Sequence, residues 1–599
     1  MAAEVRGIWW LTRSRSSGTL ITSGCLKCPD PSAQSRTAEP NRVVTESITN
    51  VTCEVPMNNR QAQDIADTAN SAEEILDAII VGGGVSGIYG LYRLTEQGHS
   101  VRLVERGAGL GGTWFYNRYP GARFDSDSYS YAYFFSDILA DEWKWSERFA
   151  GQPEVERYFN FVVDRFDLRD KIQLNTTVTS ARFDTTNNVW VVGYADGQQA
   201  IARFLVLATG MLSETYTPPF EGIDDFEGVK VHSGEWPAEG IDYAGKRVAI
   251  FGTGSSGVQL VQEVAKDAAS LTVFQRNGHW VTPLNNRPFT PEEHDHFRQN
   301  FRALHAERQR HVGGHNHELE TRMTFEVSEE ERLQKYEELY NAPGLKVLTS
   351  AFLDTLSDPA ANEDFTKFVE AKIREEVGDQ ELADKLIPTD HGIGMHRPPK
   401  GTGYYQTFKN DHVHLVDLKK TPVARFTKTG VVTTDEEFEF DVIIFATGFE
   451  AWLGALKRID IRGKNDESLM DSWSGGPRTL LGMGVPGFPN LSFIAGVHSL
   501  GGNLPAFSES HGDWLADLIT YVKTNNYSRA EVSEQAAQDW TEHVYESAKP
   551  VLLASGSWYQ RGNIPGSDGK VLVYYGGLPN WVEKATEIAD SGYKGIEFA

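Results

Sequence analysis

Cysteine is nearly missing from this chain of 599 residues: the three present, Cys25, Cys28 and Cys53, all precede Met57. The rest of the sequence therefore cannot hold a disulfide framework or a redox dithiol beside a cofactor. Cys25 and Cys28 make a lone C-x-x-C, a weak metal signal without a second pair, and no metal site is expected. Positive charge is also scarce, with 57 Lys and Arg against 83 Asp and Glu and a net charge of −26. A nucleic-acid-binding surface needs the opposite balance, as does docking on anionic lipid by charge. Long apolar runs are missing too: no window of about eighteen apolar residues occurs, so no transmembrane helix is expected. These absences point to a cytoplasmic protein without nucleic-acid or membrane partners.

Residues 1–56 lack any sustained periodicity and are rich in Ser, Thr and Arg, so a disordered extension is expected over 1–72. An Arg- and Ser-rich, acid-poor start is compatible with a transit peptide. Met57 followed by Asn-Asn-Arg-Gln instead suggests an over-long reading frame, and a genuine flexible arm is the remaining alternative. In each case residues 1–56 are expected to be dispensable. The remainder is long enough for at least two packed cores.

What the chain does carry is glycine in ordered places. The apolar run Ile75–Val81 predicts a buried parallel strand and leads into Gly82-Gly83-Gly84-Val85-Ser86-Gly87, followed by a helical pattern. In this G-x-G-x-x-G, Gly82 makes the tight turn, Gly84 admits a pyrophosphate and Gly87 lets helix pack on strand. Glu105 ends the next strand, about twenty residues on, where an acid can bond a ribose hydroxyl. A second unit follows at Lys246–Phe251 with Gly252-Thr253-Gly254-Ser255-Ser256-Gly257. Its next strand ends in Gln275-Arg276, and an arginine in the acid's place predicts pairing with the 2′-phosphate of NADPH. FAD is the natural ligand of the first unit in a two-unit flavoenzyme.

Alternation over 175–207 predicts a β-meander closing in Ala208-Thr209-Gly210; a second strand closes in Ala446-Thr447-Gly448. Helical patterns fill 289–385, opening at Thr290-Pro291, at a Ser328–Glu331 capping box and at Phe365. The expected fold is α/β, with two doubly wound dinucleotide-binding domains. The FAD domain is expected over 73–210 and 441–599. The NADP domain is expected over 211–440, carrying the helical insertion.

Between the two units lies Phe226-x-Gly228-x-x-x-His232-x-x-x-Trp236-Pro237. Earlier stands Gly111-Gly112-Thr113-Trp114, continuing to Tyr119-Pro120-Gly121 and Asp125. Both stretches resemble, at every fixed position, the signatures of the type I Baeyer–Villiger monooxygenases (cyclohexanone- and phenylacetone-monooxygenase-like flavoproteins). The resemblance implies FAD and NADPH as cofactors, and oxidation of cyclic or bulky ketones by O2 to esters or lactones through a flavin peroxide. It implies Arg397 and Asp125 as the catalytic residues. Gly112, Thr113, Trp114, Asp125 and Tyr131 are implied on the flavin side, and Trp558 over the nicotinamide nucleotide. The aromatic cluster Tyr129, Tyr131, Tyr133, Phe134 and Phe135 reads as core rather than substrate pocket. His396 stands where the family has a lysine that helps hold the NADPH phosphate, and neutral imidazole lends no charge there. A flavin-containing N- or S-monooxygenase shares the two units and a shorter fingerprint. A disulfide reductase would need the cysteines this body lacks, and a regulator that lost its chemistry is the reading outside enzymes. A monomer or weak homo-oligomer is expected.

Overall fold

The computed structural model describes residues 75–499, 501–552, 564 and 569–599. The N-terminal extension, its cysteines and Trp558 lie outside the described residues.

The described residues begin with β1 (Leu76–Val81), α1 (Val85–Glu96), β2 (Val101–Val104) and β3 (Ile172–Gln173). The meander β4 (Val178–Asp184), β5 (Val189–Tyr194) and β6 (Gln199–Leu207) follows. Next come β7 (Val229–His232), β8 (Arg247–Phe251), α2 (Ser255–Val264) and β9 (Ser270–Gln275). Four long helical segments come after these: α3 (Pro291–Arg310), α4 (Glu329–Asn341), α5 (Pro359–Val377) and α6 (Gln380–Leu386). The chain then forms β10 (Val413–Asp417), the small antiparallel sheet β11 (Val423–Thr427), β12 (Gly430–Thr433) and β13 (Glu437–Glu439), and β14 (Val442–Phe445). It ends through β15 (Asp460–Arg462), β16 (Leu491–Phe493) and α7 (Leu504–Thr524) before its last helices.

Two large sheets result. The first has order β15-β4-β5-β6-β1-β2-β3, with β16 also paired to β6. Its half around β1 is parallel and its meander is antiparallel, with β6 shared between the halves. The second, β10-β9-β8-β14-β7, is parallel throughout. The chain leaves the first sheet after β6, builds the second, and returns with β15 and β16.

Both central strands are buried on two faces, which is why they read as continuous apolar runs rather than alternations. In β1, Ala78 and Ile80 enter one core while Ile79 and Val81 enter another. In β8, Val248 and Ile250 face the helices α4–α6, and Ala249 and Phe251 face the small sheet.

The helices of the insertion divide between the two cores. α4, α5 and α6 pack on the second sheet, but α3 turns Phe297 and Phe301 into the core of the first sheet, against Phe134 and Tyr129. The i, i+4 pair gives α3 one apolar stripe, and the aromatic loop 129–135 offers it a matching surface. Ser328 caps α4 by accepting from Glu331 N, but the return half of the expected box is absent because the Glu331 carboxylate pairs with Arg322. α5 starts at Pro359, ahead of the predicted Phe365, with Asp358 accepting from Ala360 N and Ala361 N. Asp358-Pro359 is the local start signal, six residues ahead of the apolar period. Among the described residues no helix is long and apolar enough to cross a membrane.

Candidate active site

Each glycine turn is built for close approach. A Cβ on Gly82 would lie 2.4 Å from Ala208 O, and one on Gly87 1.9 Å from Gly82 O. The second unit repeats this, with Gly252 against Ala446 O at 2.4 Å and Gly257 against Gly252 O at 2.1 Å. Glycine is thus required where strand, helix and the Ala-Thr-Gly segments converge. Space is left over Gly254, and Gly84 faces the Gly112 backbone. α1 and α2 have neither a side-chain N-cap nor an acid in the first turn, whereas α3, α4, α5 and α6 are all capped by their own side chains. Uncapped N–H groups and an uncompensated dipole suit a phosphate.

The buried Glu105 carboxylate accepts from Gly83 N at 2.7 Å, Gly107 N at 2.7 Å and Tyr116 Oη at 3.0 Å. It therefore fixes the glycine turn and keeps accepting capacity for one further hydroxyl. Trp114 Nε1 donates to Tyr131 Oη at 3.3 Å, while Thr113 is exposed. Thr253 Oγ1 is spent on Asn277 O at 2.9 Å, so it shapes the loop after β9; Ser255 is exposed and Ser256 half-buried. These groups fit FAD at the first turn and a nicotinamide dinucleotide at the second.

Arg276 is exposed at the end of β9. The structure brings His396 to the same edge: its ring stacks on His391 at 4.1 Å and lies 6.0 Å from His279, which feels the Arg276 charge. Burial, then the neighbouring histidines, pushes His279 down to about 3. His391 Nδ1 bonds Asp390 at 2.6 Å.

Arg397 and Asp125 meet across 272 residues of sequence. Arg397 Nε donates to Asp125 Oδ2 at 3.1 Å and Nη2 to Oδ1 at 2.7 Å, a two-pronged pair with both side chains partly exposed. Asp125 arrives on the Gly111–Asp125 loop, whose middle docks on α2 of the second unit. Tyr119 Oη donates to Gln259 Oε1 at 2.8 Å, and Gln259 Nε2 to Arg123 O at 3.2 Å. The ion pair thus ties a loop of the first unit to a segment beyond the helices of the second.

The fingerprint is not a surface loop. Phe226, His232 and Trp236 are buried; β7 forms the sheet edge, with His232 beside Phe445. A Cβ on Gly228 would lie 2.4 Å from the Phe226 ring and 2.7 Å from Asp441 O, and Pro237 is half-buried. His232 Nδ1 accepts from Gly234 N at 3.0 Å, and its ring meets Phe449 edge-on at 5.8 Å. Thr215 Oγ1 donates to Glu235 Oε1 at 2.8 Å, and Tyr216 N to Gly448 O at 2.9 Å. The fingerprint therefore packs on both chain crossings between the sheets. Burial holds His232 down at about 4, so its ring is neutral there at pH 7.

The model of the flavin-binding monooxygenase-like family matches residues 77–289. The chain is 39% identical to the 2-oxo-Δ3-4,5,5-trimethylcyclopentenylacetyl-CoA monooxygenase of Pseudomonas putida, over 88% of this chain and 98% of that protein. It is 38% identical to the cyclopentanone 1,2-monooxygenase of Comamonas sp., over 88% and 97%. The solved structure of the cyclohexanone monooxygenase of Rhodococcus sp. Phi1 with NADP+ bound superposes with a TM-score of 0.86, at 36% identity, over 88% of this chain and 99% of that one. The chain belongs to the Baeyer–Villiger monooxygenases.

In this monooxygenase, sequence reasoning missed two groups near Arg397. Lys400 is buried; its Nζ donates to Thr282 Oγ1 at 2.6 Å, and burial drives it down to about 7, with Asp125 opposing and Arg397 assisting. His315 is also buried and lies within reach of the Arg397 charge. Neither belongs to a motif; only the polar cluster HVGGHNH from His311 to His317 could have drawn notice.

Proposed function

We infer that this chain is an FAD- and NADPH-dependent Baeyer–Villiger monooxygenase that inserts one oxygen atom of O2 beside a ketone carbonyl. Ketone, NADPH, H+ and O2 give an ester or lactone, NADP+ and water. The observation that carries this reading is the Asp125–Arg397 pair, closed across two nucleotide units that sit on either side of the fingerprint. FAD would sit at Gly82–Gly87 with Glu105, Gly112, Trp114 and Tyr131, and supplies electron transfer and oxygen activation when bound. NADPH would sit at Gly252–Gly257, with Arg276 and His396 at its 2′-phosphate. On this assignment 73–210 and 441–599 form the FAD domain and 211–440 the NADP domain. The guanidinium of Arg397 stabilises negative charge that develops during oxygen transfer; Asp125 aims it beforehand. The acidic, cysteine-poor body suits the cytoplasm. Relatives named for cyclopentanone and cyclohexanone favour cyclic ketones as substrates.

A second reading, oxygenation of nitrogen or sulfur, is supported by 37% identity to the phenazine N-monooxygenase PhzNO1 of Lysobacter antibioticus. Offering one cyclic ketone and one thioether or N-heteroarene to the holoenzyme separates the two. Lactone in excess over sulfoxide or N-oxide is expected, and the reverse would replace the ketone reading.

Coenzyme choice follows from the end of β9. Arg276→Ala is expected to raise the NADPH KM roughly tenfold to hundredfold, and the NADH KM far less, because a charge-assisted bond to phosphate is lost. Equal losses with both coenzymes would remove Arg276 from that role. His396→Lys is expected to tighten NADPH, most visibly above neutral pH, where imidazole is uncharged and lysine is not.

The fingerprint's place on both crossings supports a role in domain movement rather than bond-making. His232→Ala is expected to slow turnover with FAD content unchanged; unaltered steady-state kinetics would reduce the residue to packing.

A further inference from the structure

The loop after β9 starts at Arg276 and runs to Thr282 alongside the segment 386–401. A Cβ on Gly278 would lie 2.3 Å from Leu386 O. Trp280 Nε1 donates to His391 O at 3.0 Å, Thr282 N to Pro399 O at 3.2 Å and Gly401 N to Thr282 O at 3.1 Å. α5 also pins the segment: Thr366 Oγ1 accepts from Ile393 N at 3.0 Å, and Asn362 Nδ2 donates to Ile393 O at 2.8 Å. These contacts set three imidazoles together. His391 and His396 stack with ring centres 4.1 Å apart, and the ring of His279, on the same loop as Arg276, lies 6.0 Å from that of His396. His391 Nδ1 bonds Asp390 Oδ1 at 2.6 Å, and Asp390 Oδ2 stands 3.6 Å from Lys419 Nζ.

A carboxylate only accepts, so His391 Nδ1 is the donor to Asp390, and that bond fixes the ring that covers His396. Arg276 is exposed, and His279 and His396 are half-buried, so a ligand arriving from solvent reaches this edge. The other charged groups nearby are paired. In the cavity of about 580 Å³ that His391 lines, Glu370 and Asp384 share Arg374, and Glu363 pairs with Lys367. Arg397 follows His396 directly and is held by Asp125. The cluster resists charge while empty. Burial first, then His396 and His391, with Asp390 opposing and Arg276 assisting, holds His279 down at about 3. A 2′-phosphate brings about two negative charges at pH 7, and one guanidinium offsets only one of them. Imidazole supplies the second positive charge only by taking a proton.

We propose that the stacked pair His391–His396, anchored by Asp390, binds a proton together with the 2′-phosphate of NADPH, so that capture of the phosphorylated coenzyme at Arg276 is coupled to proton uptake. The proposal rests on the NADPH assignment of the second glycine turn. His396 presents the proton to the phosphate; His391 is a positioning residue whose bond to Asp390 keeps its face on the imidazolium. The sign follows from linkage: a proton taken up on binding makes binding weaker as pH rises. The window lies above pH 7, because near pH 6 and below the phosphate itself gains a proton.

The test is calorimetry of NADP+ and NAD+ binding to the FAD-loaded enzyme, without turnover, in phosphate-free buffers of differing ionisation enthalpy. At about pH 7.5, NADP+ is expected to take up about half to one proton and NAD+ none. The NADP+ Kd should rise up to about tenfold per pH unit between about pH 7 and 9, with the NAD+ Kd flat. His396→Lys should abolish the uptake and flatten the pH dependence while NADP+ stays tightly bound. His391→Phe, which keeps a stacked face without the bond to Asp390, should reduce the uptake and weaken NADP+ a few-fold, leaving NAD+ unchanged. No uptake in the wild type, or the same uptake in either variant, would overturn the proposal while NADP+ still bound more tightly than NAD+. Equal affinity for the two coenzymes at every pH would remove the NADPH assignment as well.

Discussion

Arg397→Ala is expected to leave NADPH-driven flavin bleaching near the wild-type rate and to abolish ester formation, with the consumed O2 recovered as hydrogen peroxide. Hydride transfer needs no anion stabilised at this position, whereas oxygen transfer to a carbonyl does. A guanidinium is suited to that task because it stays charged and is aligned before the negative charge appears. Asp125 supplies the alignment through both of its oxygens. Removing one preorganised donor of this kind typically costs about 100-fold to 1,000-fold in turnover. Asp125→Ala should weaken the same step less, since the charge remains and only its aim is lost. Arg397→Lys separates the two contributions, keeping a charge without the planar fork. Anaerobic flavin reduction, ester yield and peroxide yield, measured on one preparation, decide the matter. Ester at near wild-type rate from Arg397→Ala would remove the residue from the chemistry while leaving family membership untouched.

Glu509→Ala should be the most destabilising single change in the described residues outside the site. Glu509 on α7 and Arg308 on α3 form a fully buried ion pair. Arg308 Nη1 also donates to Ala132 O at 2.8 Å and its guanidinium lies 4.1 Å from the centre of the Phe134 ring, while Glu509 Oε1 accepts from Phe134 N at 2.6 Å. Burial pushes the carboxyl up and the guanidinium down, and each charge opposes that shift in the other. Removing one partner leaves the other charge buried and alone, at a cost of about 3–5 kcal/mol. Replacing both, as Arg308→Met with Glu509→Leu, should recover part of the loss: an apolar pair escapes the charge-desolvation penalty, but Ala132 O and Phe134 N lose their partners. The exposed pair Arg165–Glu142, screened by solvent, serves as the control. Urea midpoints of the four holoenzymes, followed by protein and flavin fluorescence, give the comparison. A Glu509→Ala midpoint no lower than that of the control would refute the account. The pair clamps the aromatic loop 131–135 between two helices, so flavin release should shift along with unfolding.

Local signals were legible wherever one short window contains their cause. Both glycine turns, the strands before them, the meander and the caps at Thr290 and Ser328 are set by φ range, alternation and side-chain reach over a few residues. The arginine at the end of β9 could be named for the same reason. α5 was placed late because its apolar period begins after its Asp-Pro start, and a period says nothing about the turn that precedes it.

Which core an element joins is a different kind of fact. α3 and α4 both show one apolar stripe, yet α3 packs on the first sheet and α4 on the second; a stripe states that a face is buried, not against what. The candidate site divides in the same way. Sequence alone determined two dinucleotide units, the absence of any cysteine chemistry in the body, and the residues of two matched signatures. Tertiary structure alone decided that the fingerprint is a buried edge strand on both chain crossings, and that Lys400 and His315 lie buried within reach of the Arg397 charge. Burial and the field of a distant charge arise from packing between segments hundreds of residues apart, and no local window of sequence contains them.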